Sequence, residues 1–297
     1  MFDQIKLIQR NGYNPTHIID IGAYHGQWTV QTFPIFPDAK FIMIEANDHP
    51  ELNKYKTFSN ISVINEILND TQTDVIWNQS GNTGDSLHKE QSCWSHMFQE
   101  VSRTSITMND CIQKYNIDLS SMTNIFMKID CQGAEIAILK GATDLFVQTD
   151  FILMELPLFG KYNANVPSFL EHIQYMDSIG FQPYDIVDNH YINDFNMQVD
   201  MLFINKNHSF AVDVQYKLLK EFKEALKEDP KLKFKDWLSN RRGKYSNGGV
   251  TGDTFAEEYG DLIDAWVRKI DLDNPDQSLT DYINKIKARE NKGLKND

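Results

Sequence analysis

The sequence predicts an α/β fold, a mostly parallel sheet flanked by helices, on three observations. Short apolar or β-branched runs alternate with helix-compatible segments along the first two thirds of the chain, the rhythm of βαβ units. The stretch Ile18-Ile19-Asp20-Ile21-Gly22-Ala23-Tyr24-His25-Gly26 reads as a buried strand ending in an acid, a glycine turn and the start of a helix. Residues Ile125 to Glu135 repeat that device, with Lys128-Ile129-Asp130 closing the strand and Gly133 in the turn. Acids at the carboxyl ends of central parallel strands face the crevice where open α/β sheets bind their ligands.

In chain order, the strand candidates are 16–21, 40–45, 61–66, 124–130, 150–155, 184–187 and 199–204, seven in all. The last two are joined by a short polar link, Asp188 to Asn196, which predicts an antiparallel pair at the end of the sheet. Helices are expected over 2–11, 26–33, 108–116, 133–140 and 167–179. Asn109 or Asp110 is a candidate cap for the third of these, and Pro167-Ser168 opens the fifth. Residues 73–107 lack a clear period and hold the turn-rich Gly81-Asn82-Thr83-Gly84-Asp85-Ser86. No internal repeat or low-complexity tract interrupts the pattern.

Composition narrows the function. A chain of 297 residues with 41% hydrophobic residues has ample core for one large α/β domain and an appendage. The net charge of −13 belongs to residues 1–209, with 12 Lys+Arg against 25 Asp+Glu; residues 210–297 hold 17 of each. An acidic first part argues against a nucleic-acid partner, which demands Lys and Arg along its phosphates. The break predicts a sheet domain over 1–208 and a helical extension over 209–297. No leader and no membrane-spanning run is apparent, and Cys93, Cys111 and Cys131 show no zinc spacing; a cytoplasmic setting is the simple expectation.

Phe41-Ile42-Met43-Ile44-Glu45 is a second apolar strand ending in a carboxylate, about 25 residues after Asp20. Nucleotide-binding α/β folds place an acid there to accept hydrogen bonds from ribose hydroxyls. The glycines are spaced wrongly for a dinucleotide fingerprint, so an adenosine ligand without a pyrophosphate fits better. S-adenosylmethionine is the obvious one. Phe151-Ile152-Leu153-Met154-Glu155 supplies a further strand-end acid, so Asp20, Asp130 and Glu155 are expected to converge, with Lys128 on the same side as Asp130. Plainer readings stand beside these. Asp20 could merely cap the next helix, though two strand-end acids in register favour cofactor binding; Lys128 reads also as a snorkelling strand lysine, and Glu135 as a first-turn helix acid. His96 reads as a general base or a surface histidine, Cys131 as a small packing residue, and Ser86 as a turn former or part of the site mouth.

Four motifs in order give the sequence a family resemblance: Asp-Ile-Gly-Ala-x-x-Gly-x-x-Thr from Asp20, Ile-Glu-Ala-Asn from Ile44, Gly-Asp-Ser-Leu from Gly84, and Lys-Ile-Asp-Cys-Gln-Gly-Ala-Glu-x-x-x-Leu-Lys-Gly-Ala from Lys128. Together with Val199–Ile204 they resemble an FkbM-type methyltransferase over about residues 15–205. Tyr24 stands where that family often has Asn. The resemblance implies a Rossmann-like class I methyltransferase sheet of seven strands with an antiparallel last strand. It also implies O-methylation of a hydroxyl on a sugar, glycan or related small molecule. Asp20, Gly22 and Ala23 would lie at the methionine part of the cofactor, Glu45 and Ala46 at the ribose, and Asn69-Asp70 beside the adenine. Asp130 would lie nearest the sulfonium and the acceptor, with Glu155 and Lys128 completing the catalytic group. A carboxylate there takes the proton as the hydroxyl reacts; alternatively Asp130 and Glu155 hold a Mg²⁺ that acidifies it.

Two other classes compete. Amino-methylating nucleic-acid enzymes need an Asp/Asn-Pro-Pro-aromatic turn where this chain has Asp130-Cys131-Gln132-Gly133, and C5 methylation needs a Pro-Cys nucleophile that does not occur. A non-catalytic cofactor-binding domain is the third class. In the extension, helical stripes run through Val214, Leu218, Leu219, Phe222, Ala225 and Leu226 and through Leu262, Ile263, Trp266, Val267 and Ile270, with Ser278 capping a third helix. The basic segment Lys231 to Lys244, with Phe234, Trp237 and Tyr245, suits acceptor recruitment, and the helices suit oligomerisation.

Overall fold

The computed structural model describes residues 1–158 and 163–241, together with 260, 261, 263–265 and 267–269. The chain divides into two compact units, Met1–Ala211 and Val212–Asp297. In the first, strands β1 (His17–Ile21), β2 (Lys40–Glu45) and β3 (Ile61–Asn65) lead to three strands of a second sheet: β4 (Ile67–Leu68), β5 (Asp74–Gln79) and β6 (Gln99–Ile106). The chain then forms β7 (Ile125–Ile129), β8 (Thr149–Pro157), β9 (Phe181–Ile192) and β10 (Phe195–Asn205). The main sheet has seven strands in the order β3-β2-β1-β7-β8-β10-β9. β3, β2, β1, β7 and β8 are parallel, and β10 runs antiparallel to both β8 and β9. Helices α1 (Phe2–Arg10), α2 (Gln27–Thr32), α3 (Met108–Lys114), α4 (Glu135–Lys140) and α5 (Phe169–Ser178) cover it.

The alternation of side chains along each strand builds two cores. Ile19, Ile42, Met127 and Ile152 face one way, against Met108 and Ile112 of α3, Ile138 of α4 and Met176 of α5. Ile18, Phe41, Phe126 and Phe151 face the other way, against Ile5 and Ile8 of α1 and Trp28 of α2. All five residues of β1 and of β7 are buried, so these strands read as apolar runs broken only by His17, Asp20 and Lys128, as two-sided burial requires. Each such Phe or Ile contributes about 1.5–3 kcal/mol by leaving water.

Several local signals settle differently from the sequence. Thr107 caps α3 by accepting the Asp110 N–H at 3.0 Å, where Asn109 or Asp110 was the expected cap. Ser168 does cap α5, in a reciprocal box with Glu171. The stretch without a period holds the second sheet, ordered β4-β6-β5. β9 and β10 extend well past their expected ends and meet in the two-residue turn Asn193-Asp194, with Asn193 at φ 53°. No helix among the described residues is long and apolar enough to cross a membrane.

The second unit contains most of α6 (Ser209–Glu228) and α7 (Phe234–Arg241). Its core is Leu219, Phe222, Phe234, Ile263 and Val267. Asp264 accepts the Phe234 N–H at 2.8 Å, and Arg268 donates to the carbonyls of Pro230 and Leu232. Leu262, Trp266, Ile270, the Ser278 helix, the Arg242–Tyr245 end of the basic segment and the loop 247–252 lie outside the described residues.

Candidate functional site

The strand order reverses direction between β1 and β7, and the crevice opens at the carboxyl ends of the two strands. Beneath it lies a buried charge cluster. Asp20 and Lys128 are direct neighbours across the β1–β7 pair, and Lys128 Nζ is 3.4 Å from Asp20 Oδ1 and 3.3 Å from Asp130 Oδ2. The same ammonium donates to the Gly22 carbonyl at 3.0 Å, while Thr29 Oγ1 donates to Asp20 Oδ2 at 2.7 Å. Burial pulls the Lys128 pKa down, but Asp130 and Asp20 outweigh it and hold the ammonium above its ordinary value. Gly22 is at φ 75°, and a Cβ there would lie 2.0 Å from the Asp130 carbonyl oxygen. Only glycine lets the two strand ends approach this closely.

Above the cluster lies a cavity of about 220 Å³. Gly22, Tyr24, Glu45 and Ala46 form one side, Ile67 and Leu68 another, and Asp130, Cys131, Gln132 and Glu155 a third. Glu45 accepts the Tyr24 N–H at 2.8 Å through Oε2 and the Asn47 N–H at 2.8 Å through Oε1. It therefore ties the glycine loop to the end of β2. Asp85 forms the roof: its Oδ1 accepts from the Ser80 N–H and hydroxyl, and its Oδ2 from Asn47 Nδ2 at 2.8 Å. The adjacent Ser86 is fully buried and donates to the Gln132 carbonyl at 3.0 Å, closing the roof onto the loop after β7.

On the far side of Asp130, acids and amides extend across β8, β10 and β9. Glu155 pairs directly with Asp200, and Asp200 with Asp188. Gln132 and Gln198 both donate to Glu155 Oε2, at 3.0 and 2.8 Å. His190 Nε2 lies 2.9 Å from Asp200 Oδ2 with 43% of the histidine side chain exposed, and that hydrogen bond raises its pKa. Burial, with Asp130 and Asp200 adding to it, holds the Glu155 carboxyl well above the usual range. Glu135, outside the cavity, accepts the Cys131 and Gly133 N–H groups and so shapes the turn. Burial also pushes the Cys131 thiol up, so it packs as a neutral group.

Of the residues picked out in the sequence, Gly22, Glu45, Ala46, Asp130 and Glu155 line the cavity. Asp20, Ala23 and Lys128 lie behind its wall, because Asp20 and Lys128 neutralise each other in the sheet. Asn69 and Asp70 are also off the wall: they follow β4, whose Ile67 and Leu68 line it, in the link to β5. His96 is exposed and bonded to the Cys93 carbonyl, away from the lining. For the expected metal pair, the donors within 4.8 Å of one another at Glu155 are His190 and Asp200, and Asp130 is not among them. His190, Gln198 and Asp200 were missed, although Gln198 and Asp200 are two apart on one strand and so share a face.

The fold is Rossmann-like, with the cavity at the carboxyl ends of its central parallel strands. The model of the methyltransferase FkbM domain matches residues 20–183, and the chain belongs to that family. Among solved structures it is similar to methyltransferase FkbM from Methylobacillus flagellatus KT, with 16% identity, TM-score 0.42, and coverage of 64% of this chain and 43% of that one. It thus spans less than half the length of that protein. It is also similar to the Burkholderia thailandensis 1,6-didemethyltoxoflavin-N1-methyltransferase with bound S-adenosylhomocysteine (10% identity, TM-score 0.38, 68% and 76% covered). Aeropyrum pernix fibrillarin in complex with S-adenosyl-L-methionine shows 12% identity and TM-score 0.38, with 64% and 67% covered. A search of the curated proteins found no match.

Two outcomes test this geometry. Lys128→Met leaves Asp20 as an uncompensated buried charge, and chemical denaturation should show a loss of about 3–5 kcal/mol. Glu155 holds its proton more tightly folded than unfolded, so it costs nothing at low pH and destabilises as pH rises through the folded value. Glu155→Gln should therefore melt higher than the parent at about pH 8, and the two curves should converge near about pH 4.

Proposed function

We propose that the protein transfers a methyl group from S-adenosylmethionine to a hydroxyl of a small molecule, of the sugar or glycan class. One observation carries this: the cavity is lined by Glu45, Glu66, Asp85, Asp130 and Glu155 and, among the described residues, by no Lys or Arg. Such a wall repels phosphates and favours a cationic adenosine ligand, which sets a sulfonium above NAD or a nucleotide. The residues present fit that ligand. Each Glu45 oxygen holds one backbone N–H and keeps a lone pair for a ribose hydroxyl, and Ile44, Ile67, Leu68 and Ile138 offer apolar faces to a purine.

When bound, S-adenosylmethionine supplies an electrophilic methyl group on a positively charged sulfur. The chain's own residues do the rest. Lys128 holds the Asp130 carboxylate at the cavity edge, where it draws the cation and accepts the hydroxyl proton. Burial and the neighbouring Asp130 push the Glu155 pKa up, which favours it as the hydrogen-bond donor that orients the acceptor over the role of base. The His190–Asp200 pair relays the proton to solvent. A divalent-cation version of the same reaction, with Mg²⁺ held by Glu155, His190 and Asp200, is the second reading.

S-adenosylhomocysteine should raise the melting temperature, and calorimetry should show Glu45→Ala binding it about 10- to 100-fold more weakly, the equivalent of about 1.5–3 kcal/mol for a charge-assisted acceptor. Asp130→Asn should cut turnover of a hydroxylated acceptor by about 100-fold or more. Preference for NAD would overturn the cofactor, and near-normal turnover in Asp130→Asn would reduce that residue to a structural part. Loss of activity in EDTA selects the cation version; indifference to EDTA keeps the base.

A further inference from the structure

A second group of donors sits on the loops around Glu45, none of them lining the cavity. His25 lies in the glycine turn after β1; His49 and Glu51 open the helical turn that follows β2. One donor atom from each of the three lies within 4.8 Å of the others. His25 Nε2 is 3.7 Å from Glu51 Oε2, and the rings of His25 and His49 meet edge-on with centroids 4.8 Å apart. The loop holds this arrangement in place. Tyr24 stacks on His25 at 3.8 Å, and the Tyr55 hydroxyl donates to the His25 carbonyl at 3.3 Å. A Cβ at Gly26 (φ 83°) would meet the Tyr55 ring at 2.5 Å, so glycine permits that approach.

The informative atom is His49 Nε2. The side chain is only 10% exposed, and Nε2 is buried without a hydrogen-bond partner, 3.9 Å from Glu45 Oε1. Leaving a buried polar atom unpaired is costly, and a histidine nitrogen is relieved by a proton donor or a metal.

We infer that His25, His49 and Glu51 bind a borderline divalent transition metal, Zn²⁺ foremost. Two imidazoles and one carboxylate favour such an ion over Mg²⁺ or Ca²⁺, which take oxygen ligands. Bonds of about 2.0–2.2 Å put donors roughly 3.3–3.5 Å apart around a tetrahedral ion. The three groups therefore close by up to about 1.5 Å, through the partly exposed side chains of His25 and Glu51 (29% and 49%). The fourth position is open to water. The ion would join the two loops that Glu45 already bridges through the Tyr24 and Asn47 N–H groups, and so stiffen the ribose-side wall.

The simpler alternative is a water. A cavity of about 30 Å³ lined by Glu45, His49, Lys56 and Asn65 has room for one. The test uses the full chain without an affinity tag, titrated with Co²⁺ and followed by visible absorption, then with Zn²⁺ by calorimetry. A single equivalent with the intense bands of tetrahedral Co²⁺ is expected. Its affinity should fall by at least about tenfold in His25→Ala, where the side chain is partly exposed and folding is safe, and further in His49→Ala. Zn²⁺ should also tighten S-adenosylhomocysteine binding in the parent and leave it unchanged in His25→Ala. No uptake, or the same uptake in parent and His25→Ala, overturns the site and leaves the water in its place. Because uptake is read without any cofactor, this result stands or falls separately from methyl transfer.

Discussion

The site rests on one buried cation. Lys128 Nζ sits between Asp20 and Asp130 and also holds the Gly22 carbonyl, so one ammonium joins the carboxyl ends of β1 and β7. Taking the Asp20 carboxylate and the ammonium out of water is expensive for each alone, and mutual neutralisation makes the pair tolerable. The arrangement has a geometric result as well. With Gly22 drawn under the Asp130 backbone, the glycine loop turns so that the Tyr24 N–H reaches Glu45, and Glu45 in turn positions Asn47 beneath Asp85. A chain of charge-assisted bonds thus runs from the sheet interior to the cavity roof.

The acids around the cavity do not share one electrostatic state. Asp130 is kept company by a lysine and is 40% exposed, whereas burial, with Asp130, Asp200 and Glu135 around it, pushes the Glu155 pKa up. Two carboxyl groups at the ends of neighbouring strands thus sit in different surroundings, one beside a cation and one among acids.

Much of this was legible in the sequence because the central strands are buried on both faces. His17–Ile21 and Ile125–Ile129 have no exposed face to interrupt their apolar runs, so position and direction were plain. β5 and β6 were not, because residues such as Ile76 and Val101 point to solvent while polar residues alternate around them without a consistent apolar face. At the site, the strand-end acids were visible as residue types but not as partners. That Asp20 faces a lysine depends on the Asp20–Lys128 register, and no local pattern encodes register between strands more than 100 residues apart. His190 and Asp200 escaped for the same reason: their meeting depends on a hairpin whose turn, Asn193-Asp194, carries the signal but not the distance.

The roof has a further consequence for how such a chain can diverge. Asp85 and Ser86 are anchored, but the residues that follow hang from an antiparallel pair whose ladder ends at Gln79 and Gln99. That excursion touches the sheet domain again through Glu90 and Asn163, and it exposes Trp94 and Met97. Lengthening or shortening it shifts no strand of the parallel sheet and costs little closure entropy. The molecule is therefore modular in an evolutionary sense: one short segment is free to drift under selection while the wall around Glu45 and Asp130 stays fixed.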